Sequence, residues 1–220
     1  EEPEEPDGPV AGEPPPPPGG MVDDDEGDHG PRLVGSVQKK YWGDLPADHQ
    51  AAAVKELKDF ADRTEQTMGI ELDLYETDYF LFYTDLPEKE GRQWSSLLDR
   101  MYVRLSKLFA LDPDHNIFRG KGLIFVFNEP LDYHRFQREM HGTPSMGSAG
   151  MCHSYGNGMV HIAFYKQPDE NRFAHVLVHE SVHGFLHRYR SPERIDSWIN
   201  EGLAETIAHE LVPRGKAATA

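Results

Sequence analysis

Apolar and polar side chains follow one another along the chain with a period that changes from segment to segment. Residues 47–67 carry apolar side chains at the three- and four-residue spacing of an amphipathic helix, which Gly69 ends. Residues 70–74 alternate apolar and polar side chains, and 79–83 is a dense aromatic run, so two strands are predicted there. The apolar stripe over 94–109 predicts a second helix that packs on the core.

The second half of the chain continues with shorter apolar segments. Their lengths and flanking residues predict a buried strand, a short helix, a loop and a last strand, at 122–127, 131–140, 142–158 and 159–165. Two helices are predicted to follow, at 171–188 and 198–210. Gly202 is expected to let these two helices approach each other closely.

The first 31 residues differ in composition from the rest of the chain. They hold nine of the 17 prolines and eleven acidic residues but no lysine or arginine. Prolines at 14–18 favour polyproline II, and the acidic run at 23–26 repels itself. We therefore predict a disordered acidic tail at 1–31, either a plain tether or a docking motif. Residues 32–220 form one domain, with 22 basic and 27 acidic residues and a net charge of only -5.

Composition also limits the compartment and the partners. There is no apolar run as long as a transmembrane helix and no signal peptide. The chain starts at Glu1 without a methionine, so it is expected to be either the mature remainder of an exported (periplasmic or extracellular) precursor, which is favoured, or an expression fragment. Cys152 is the only cysteine, so an internal disulfide is impossible and the redox compartment stays open. A negative domain without a basic stripe argues against nucleic acid as a partner. The oligomeric state cannot be derived from the sequence.

The strongest chemical signal is His-Glu-x-x-His at 179–183, followed after 17 intervening residues by Glu201. Side chains four apart lie on one face of a helix, so His179 and His183 can present two imidazole nitrogens to one ion. Glu180 lies beside them, where its carboxylate can accept a proton from a metal-bound water. Two imidazoles and the Glu201 carboxylate leave a fourth position open, which is typical of a catalytic zinc site with one ion per chain.

These residues resemble the motifs of the gluzincin (peptidase MA-like) zinc metallopeptidases, in which a glutamate on the next helix joins the His-Glu-x-x-His helix. The Asn-Glu-Gly-x-Ala segment at 200–204 is similar to the zinc aminopeptidase branch, and the acid at Glu205 is similar to the thermolysin branch. The resemblance covers 172–210. It implies an α+β, zincin-like fold with a small mixed sheet, an edge strand before the zinc helix and a glutamate helix after it.

The resemblance also implies a place for the substrate. The strand before the zinc helix is the edge that holds an extended peptide, and the matching residues are Met159, Val160, His161, Ile162, Ala163 and Phe164. An ordinary edge strand is the alternative. The aminopeptidase branch holds the substrate amine with a glutamate in a Gly-x-Met-x-Asn segment, but 158–161 has no acid. Aminopeptidase activity is therefore not expected.

Other roles near the site stay open. Glu205 is expected to accept a hydrogen bond from the far nitrogen of His179, with a solvated acid as the alternative. The candidates for stabilising the oxyanion are His153, Tyr155 and Tyr165. The donor could instead lie beyond Ala220, in which case the domain is truncated at its C-terminus.

Two classes of function fit the sequence. The first is zinc-dependent hydrolysis of a peptide or protein substrate with Glu180 as general base, more in keeping with an endopeptidase than an aminopeptidase. The second is a zinc-containing module that binds peptide or cell-wall material with little or no turnover. The intact Glu180 favours the first, and the short C-terminal extension favours the second. The substrate itself is not determined.

Overall fold

The computed structural model describes residues 42–189 and 195–212, and the predicted tail at 1–31 lies outside them. The described residues form five helices and five strands. The helices are α1 Ala47–Met68, α2 Glu88–Leu108, α3 Pro130–His141, α4 Glu170–Arg188 and α5 Ser197–Leu211. The strands are β1 Asp73–Glu76, β2 Phe80–Thr84, β3 Gly122–Phe127, β4 Gly150–Ser154 and β5 Val160–Tyr165.

The five strands form one mixed sheet in the order β1-β2-β3-β5-β4. Strands β2, β3 and β5 are parallel, while β1 and β4 pair antiparallel at the two edges. The three parallel strands are apolar along nearly their whole length, as expected for strands covered on both faces. The prediction of an α+β fold with a small mixed sheet is confirmed.

Helices cover both faces of this sheet. One face, which includes Ile124 and Ile162, packs against α2 and α4, and α5 packs against α4 at the margin of the same core. The other packs against α1 and α3 and includes Phe125 and Ala163. Neighbouring residues of a strand thus belong to different cores, because side chains alternate across the sheet.

The prediction that residues 159–164 form the sheet edge is wrong. Strand β5 has β3 on one side and β4 on the other, so its backbone is paired along both edges. The edge strand is β4, Gly150–Ser154, within the segment 142–158 that was predicted to be a loop. The small and half-exposed residues of β4 lack the apolar alternation that marks a strand, which is why the pattern did not reveal it.

Helix α4 is held close to the sheet at Gly184. A methyl group on Gly184 would lie 2.7 Å from a methyl of Val160 and 3.2 Å from one of Ile162. At the other end of the helix, the Asp169 side chain accepts a hydrogen bond of 2.7 Å from the backbone N–H of Arg172. The missing side chain of Gly184 lets α4 lie close to the sheet, and the hydrogen bond to Asp169 caps the first turn of the helix.

Three histidines form a buried cluster between α3 and the β4–β5 pair. The rings of His141 and His153 stack with centroids 4.0 Å apart. The Tyr155 hydroxyl lies 3.0 Å from Nδ1 of His141 and 3.5 Å from Nδ1 of His161. Nε2 of His141 and Nε2 of His161 are buried without a hydrogen-bond partner among the described residues. Burial lowers the pKa of His161 to about 3 and that of His141 to about 4.

This cluster predicts that the fold loses stability in mild acid. An unfolded histidine takes up a proton near pH 6.5, whereas these folded ones stay neutral until about pH 4. The unfolded state therefore binds more protons below pH 6.5, and each histidine removes up to about 1.4 kcal/mol of unfolding free energy per pH unit. Urea denaturation between pH 7.5 and pH 5 measures this slope. It should be shallower in His161→Phe, and an unchanged slope in that variant would contradict the prediction.

Candidate metal centre and cleft

Helices α4 and α5 bring together the side chains of His179, His183 and Glu201. The two Nε2 atoms of the histidines are 3.2 Å apart. The Glu201 carboxylate lies 3.4 Å from Nε2 of His179 and 3.6 Å from Nε2 of His183. Ligand atoms bound to one tetrahedral zinc at 2.0–2.1 Å lie about 3.3 Å from each other. The three side chains therefore match the donor set and the spacing of a zinc site.

The two helices meet through buried apolar residues of α5, mainly Ala204, Ile207 and Ala208. Gly202 does not take part in this packing, since a methyl group added there would meet nothing within 4 Å. The expectation that Gly202 allows the close approach is thus wrong.

Glu205 lies where the sequence placed it, behind the first histidine of the site. Its Oε2 is 3.4 Å from Nδ1 of His179 and 3.1 Å from Nε2 of His175, and its Oε1 is 2.8 Å from Nε2 of His209. A hydrogen bond from His175 is the main reason that the pKa of Glu205 is lowered. The carboxylate thus accepts hydrogen bonds from imidazoles, and the bond from His179 Nδ1 would leave Nε2 of that ring free for a metal.

The roles of His175 and His209 as partners of Glu205 were not predicted. A signal was present, because 175 and 179 are four apart on one helix and 205 and 209 are four apart on the next. Side chains four apart lie on one face of a helix, so the pair on one helix can contact the pair on the other when the two helices pack side by side. His175, His179 and Glu205 also have ligand atoms within 4.8 Å of one another, as do His179, His183 and Glu201.

Glu180 lies beside the three ligands and is largely buried. Burial is the main cause that raises the pKa of its carboxyl group, and the charge of Glu201 acts in the same direction. His183 and the backbone N–H of Cys152 on β4 oppose this shift. The carboxylate is thus placed between the ligand group on α4 and the edge strand of the sheet.

A cleft of about 490 Å³ opens over these residues. Its walls are β4, α4, and the start of α5 with the residues before it. The lining residues are Gly150, Met151, Cys152, Ser154, His179, Glu180, His183, Leu186, His187, Ile195, Ser197, Asn200 and Glu201. An edge strand therefore borders the candidate metal site, although it is a different strand from the one predicted.

The three oxyanion candidates do not line this cleft. His153 Nε2 lies 2.6 Å from the Gln137 side-chain oxygen, and the Tyr155 hydroxyl lies 3.0 Å from Nδ1 of His141. These two side chains and that of Tyr165 lie on the sheet face covered by α1 and α3. Side-chain alternation along β4 and β5 places them there, on the face opposite α4. Their proposed role is therefore contradicted.

The cleft contains two polar residues that the sequence analysis did not assign to it. His187 lines the cleft one turn beyond His183, and its Nε2 donates to the Tyr155 carbonyl at 3.3 Å. Asn200 precedes Glu201, and its side-chain oxygen is buried with no hydrogen-bond partner in the described part of the chain. Their positions in the sequence could have indicated this, since His187 follows the ligand His183 by one helical turn and Asn200 directly precedes the ligand Glu201.

Comparison of the chain with protein-family models and with curated proteins finds no match. Within residues 42–189 and 195–212, no helix is long and apolar enough to cross a membrane. The resemblance to gluzincins therefore depends on the motif residues at 179–183 and 200–205 and on the geometry described above.

Proposed function

We propose that this chain is a zinc-dependent peptidase of the gluzincin type with a zincin-like arrangement of sheet and helices. His179, His183 and Glu201 would hold the zinc ion, and Glu180 would act as general base. The observation that carries the proposal is the convergence of the two imidazole Nε2 atoms and the Glu201 carboxylate oxygens, at distances of 3.2–3.6 Å, beside the half-buried carboxylate of Glu180. Structural zinc sites use four protein ligands, whereas three leave a position for a reacting water.

Each residue has a distinct part in the proposed reaction. A zinc ion bound here would supply a Lewis acid for the peptide carbonyl and lower the pKa of a water molecule. Glu180 would accept the proton of that water and return it to the leaving amine. Burial favours the protonated form of Glu180, which helps it to act as the acid in the second half of the reaction. Glu205 would keep the His179 ring in one tautomer.

Strand β4 is the proposed docking site for the peptide backbone. It is the last strand of the sheet on the side of the cleft, so no other strand within residues 42–189 and 195–212 pairs with its outer backbone groups. An extended peptide could pair with these groups as an additional strand. Among the described residues that line the cleft, the only carboxylates are Glu180 and Glu201, and both have other roles. No acid remains for a substrate amine, which supports cleavage inside a peptide over removal of its first residue.

A zinc-containing binding module is the second candidate. The observation in its favour is that none of the three oxyanion candidates reaches the cleft. A mixed peptide library, incubated with the chain and analysed by mass spectrometry with and without 1,10-phenanthroline, separates the two. The peptidase proposal predicts internal cleavage that the chelator abolishes. Retention of peptides without cleavage would favour the binding module, and removal of single N-terminal residues would contradict the endopeptidase assignment.

Glu205→Gln is expected to lower the affinity for zinc or the activity by about 10-fold to 100-fold, because the imidazole of His179 loses its charged acceptor. Competition with a chromogenic chelator measures the affinity. Glu210→Gln is the matched control, since Glu210 lies on the same helix but pairs with Arg104 at the surface. Equal zinc affinity in Glu205→Gln and Glu210→Gln would show that Glu205 does not orient the ligand.

A further inference from the structure

Arg188, in the last turn of α4, is a buried cation that forms no ion pair with a residue of the described ranges. Arg188 is only 6% exposed, and its Nε donates a hydrogen bond of 2.9 Å to the Ile117 carbonyl. Among the described residues, no carboxylate oxygen lies within 4.0 Å of its terminal nitrogens. An unpaired buried charge is destabilising unless another group compensates it. The terminal nitrogens of Arg188 thus have no anionic partner among the described residues.

The guanidinium group of Arg188 is held in one place by its neighbours. Its carbon lies 4.4 Å from the centre of the Trp42 ring, and the Trp42 indole N–H in turn donates to the His187 carbonyl at 2.9 Å. Gly158 adjoins one terminal nitrogen so closely that a methyl group on it would collide with Arg188. A guanidinium fixed by stacking and packing loses little further freedom when it binds a ligand.

A second guanidinium adds to the positive charge of this region. The charge of Arg119 helps to lower the pKa of Arg188 to about 10, although burial is the larger cause. Arg119 has a long ion pair of 3.9 Å with Glu56, and its Nε is buried with no hydrogen-bond partner among the described residues. The two arginines thus repel each other, and an anion near them would relieve that repulsion.

A cavity of about 170 Å³ adjoins Arg188 on the side of Trp42. Its other walls are formed by Gly43, Asp44, Leu45, Gln50, Leu111, His115, Asn116 and Ile117. Exposed groups at its rim are His115 and Asp44, which lie 3.7 Å apart. Because the Asp44 side chain is 92% exposed, water screens its charge at the rim. We propose that this cavity binds a small oxyanion, a carboxylate or a phosphate group, through the terminal nitrogens of Arg188.

The site has a built-in reporter in Trp42. Its ring contacts Arg188 on one side and the ring of His187 on the other, with centroids 5.5 Å apart in the latter case. Trp42 thus lines the smaller cavity and contacts His187, a residue that lines the larger cleft. Anion binding at Arg188 should change the fluorescence of Trp42.

Titration of the full-length chain with sodium phosphate and with sodium acetate, at an ionic strength held constant with sodium chloride, tests the site. We expect a saturable change in tryptophan fluorescence and a rise in melting temperature with one or both anions. The anion that saturates at the lower concentration identifies the preferred source. Arg188→Gln should abolish the response, whereas Arg172→Gln, an exposed arginine of the same helix, should retain it.

Two further variants make the result specific. The response should persist in His183→Ala, because the site does not involve the proposed metal ligands, and loss of the response there would assign the anion to the metal centre and overturn the proposal. Trp42→Phe should lose most of the fluorescence change yet keep the thermal stabilisation. If Arg188→Gln does not fold, the melting temperature of the unmodified chain in each anion tests the proposal. A melting temperature that rises no more with phosphate or acetate than with chloride would overturn the proposal.

Discussion

Replacement of Glu180 by glutamine is expected to reduce hydrolysis by about 100-fold or more while zinc stays bound. The amide keeps the size of the side chain and can still form hydrogen bonds, but it cannot accept a proton from water at neutral pH. Glu180 is not one of the three side chains whose atoms converge on the proposed metal position. The zinc content should therefore not change. Initial rates on a cleaved library peptide, together with elemental analysis of the same samples, measure both quantities.

Glu170→Gln is the matched control for this experiment. Glu170 is an exposed acid in the first turn of the same helix and does not line the cleft. Its removal should leave the rate unchanged, which separates the loss of a base from the loss of one negative charge. If Glu180→Gln retained full activity, the hydrolysis would belong to another site or to a contaminant.

His183→Ala is expected to reduce the zinc content from about one ion per chain to a small fraction of that, because only His179 and Glu201 would remain as protein ligands. Activity should be lost with the metal. Elemental analysis after gel filtration measures the occupancy. The effect differs from that of Glu180→Gln, in which activity falls and the metal remains.

His187→Ala is the control for His183→Ala. His187 is the next histidine along the same face of α4, but its ring donates to the Tyr155 carbonyl and packs against Trp42. The variant should retain zinc. Unchanged occupancy in His183→Ala, or equal loss in both variants, would show that the ion is not bound as we propose.

Local sequence patterns predicted the helices that carry the proposed site. The predicted ranges 171–188 and 198–210 differ from α4 Glu170–Arg188 and α5 Ser197–Leu211 by one residue at most at each end. The spacing of His179 and His183 also predicted that their imidazole nitrogens lie close together, and their Nε2 atoms are 3.2 Å apart. These features depend on the geometry of a single helix, which the sequence encodes at short range.

The edge of the sheet could not be predicted in the same way. Alternation shows that Ile162 and Ala163 face opposite sides of a strand, but it does not reveal which strands lie on either side. Strand order depends on pairing between distant segments, and β4 carries only a weak signal because its residues are small or polar. The same limit explains the oxyanion candidates. Tyr155 was a candidate from its residue type, whereas its hydroxyl lies 3.0 Å from Nδ1 of His141, on the sheet face opposite the cleft.

The network around Glu205 was predicted in part. Its contact with His179 followed from the position of the acid one turn after Glu201. The contact with His209 is local, since this residue lies four positions away on the same helix. The contact with His175 of α4, 30 positions away, required the two helices to be in register. Helix register is a tertiary property, so the sequence could indicate the facing rows of residues but not their alignment.

We propose that one zinc ion, bound by His179, His183 and Glu201, makes this chain a peptidase. Titration of the metal-free chain with zinc, with the rate of peptide cleavage recorded at each addition, tests it most directly. We predict that the rate rises in proportion to added zinc and levels off at about one equivalent per chain. A chain that binds one equivalent of zinc and cleaves no peptide in the library would contradict the claim.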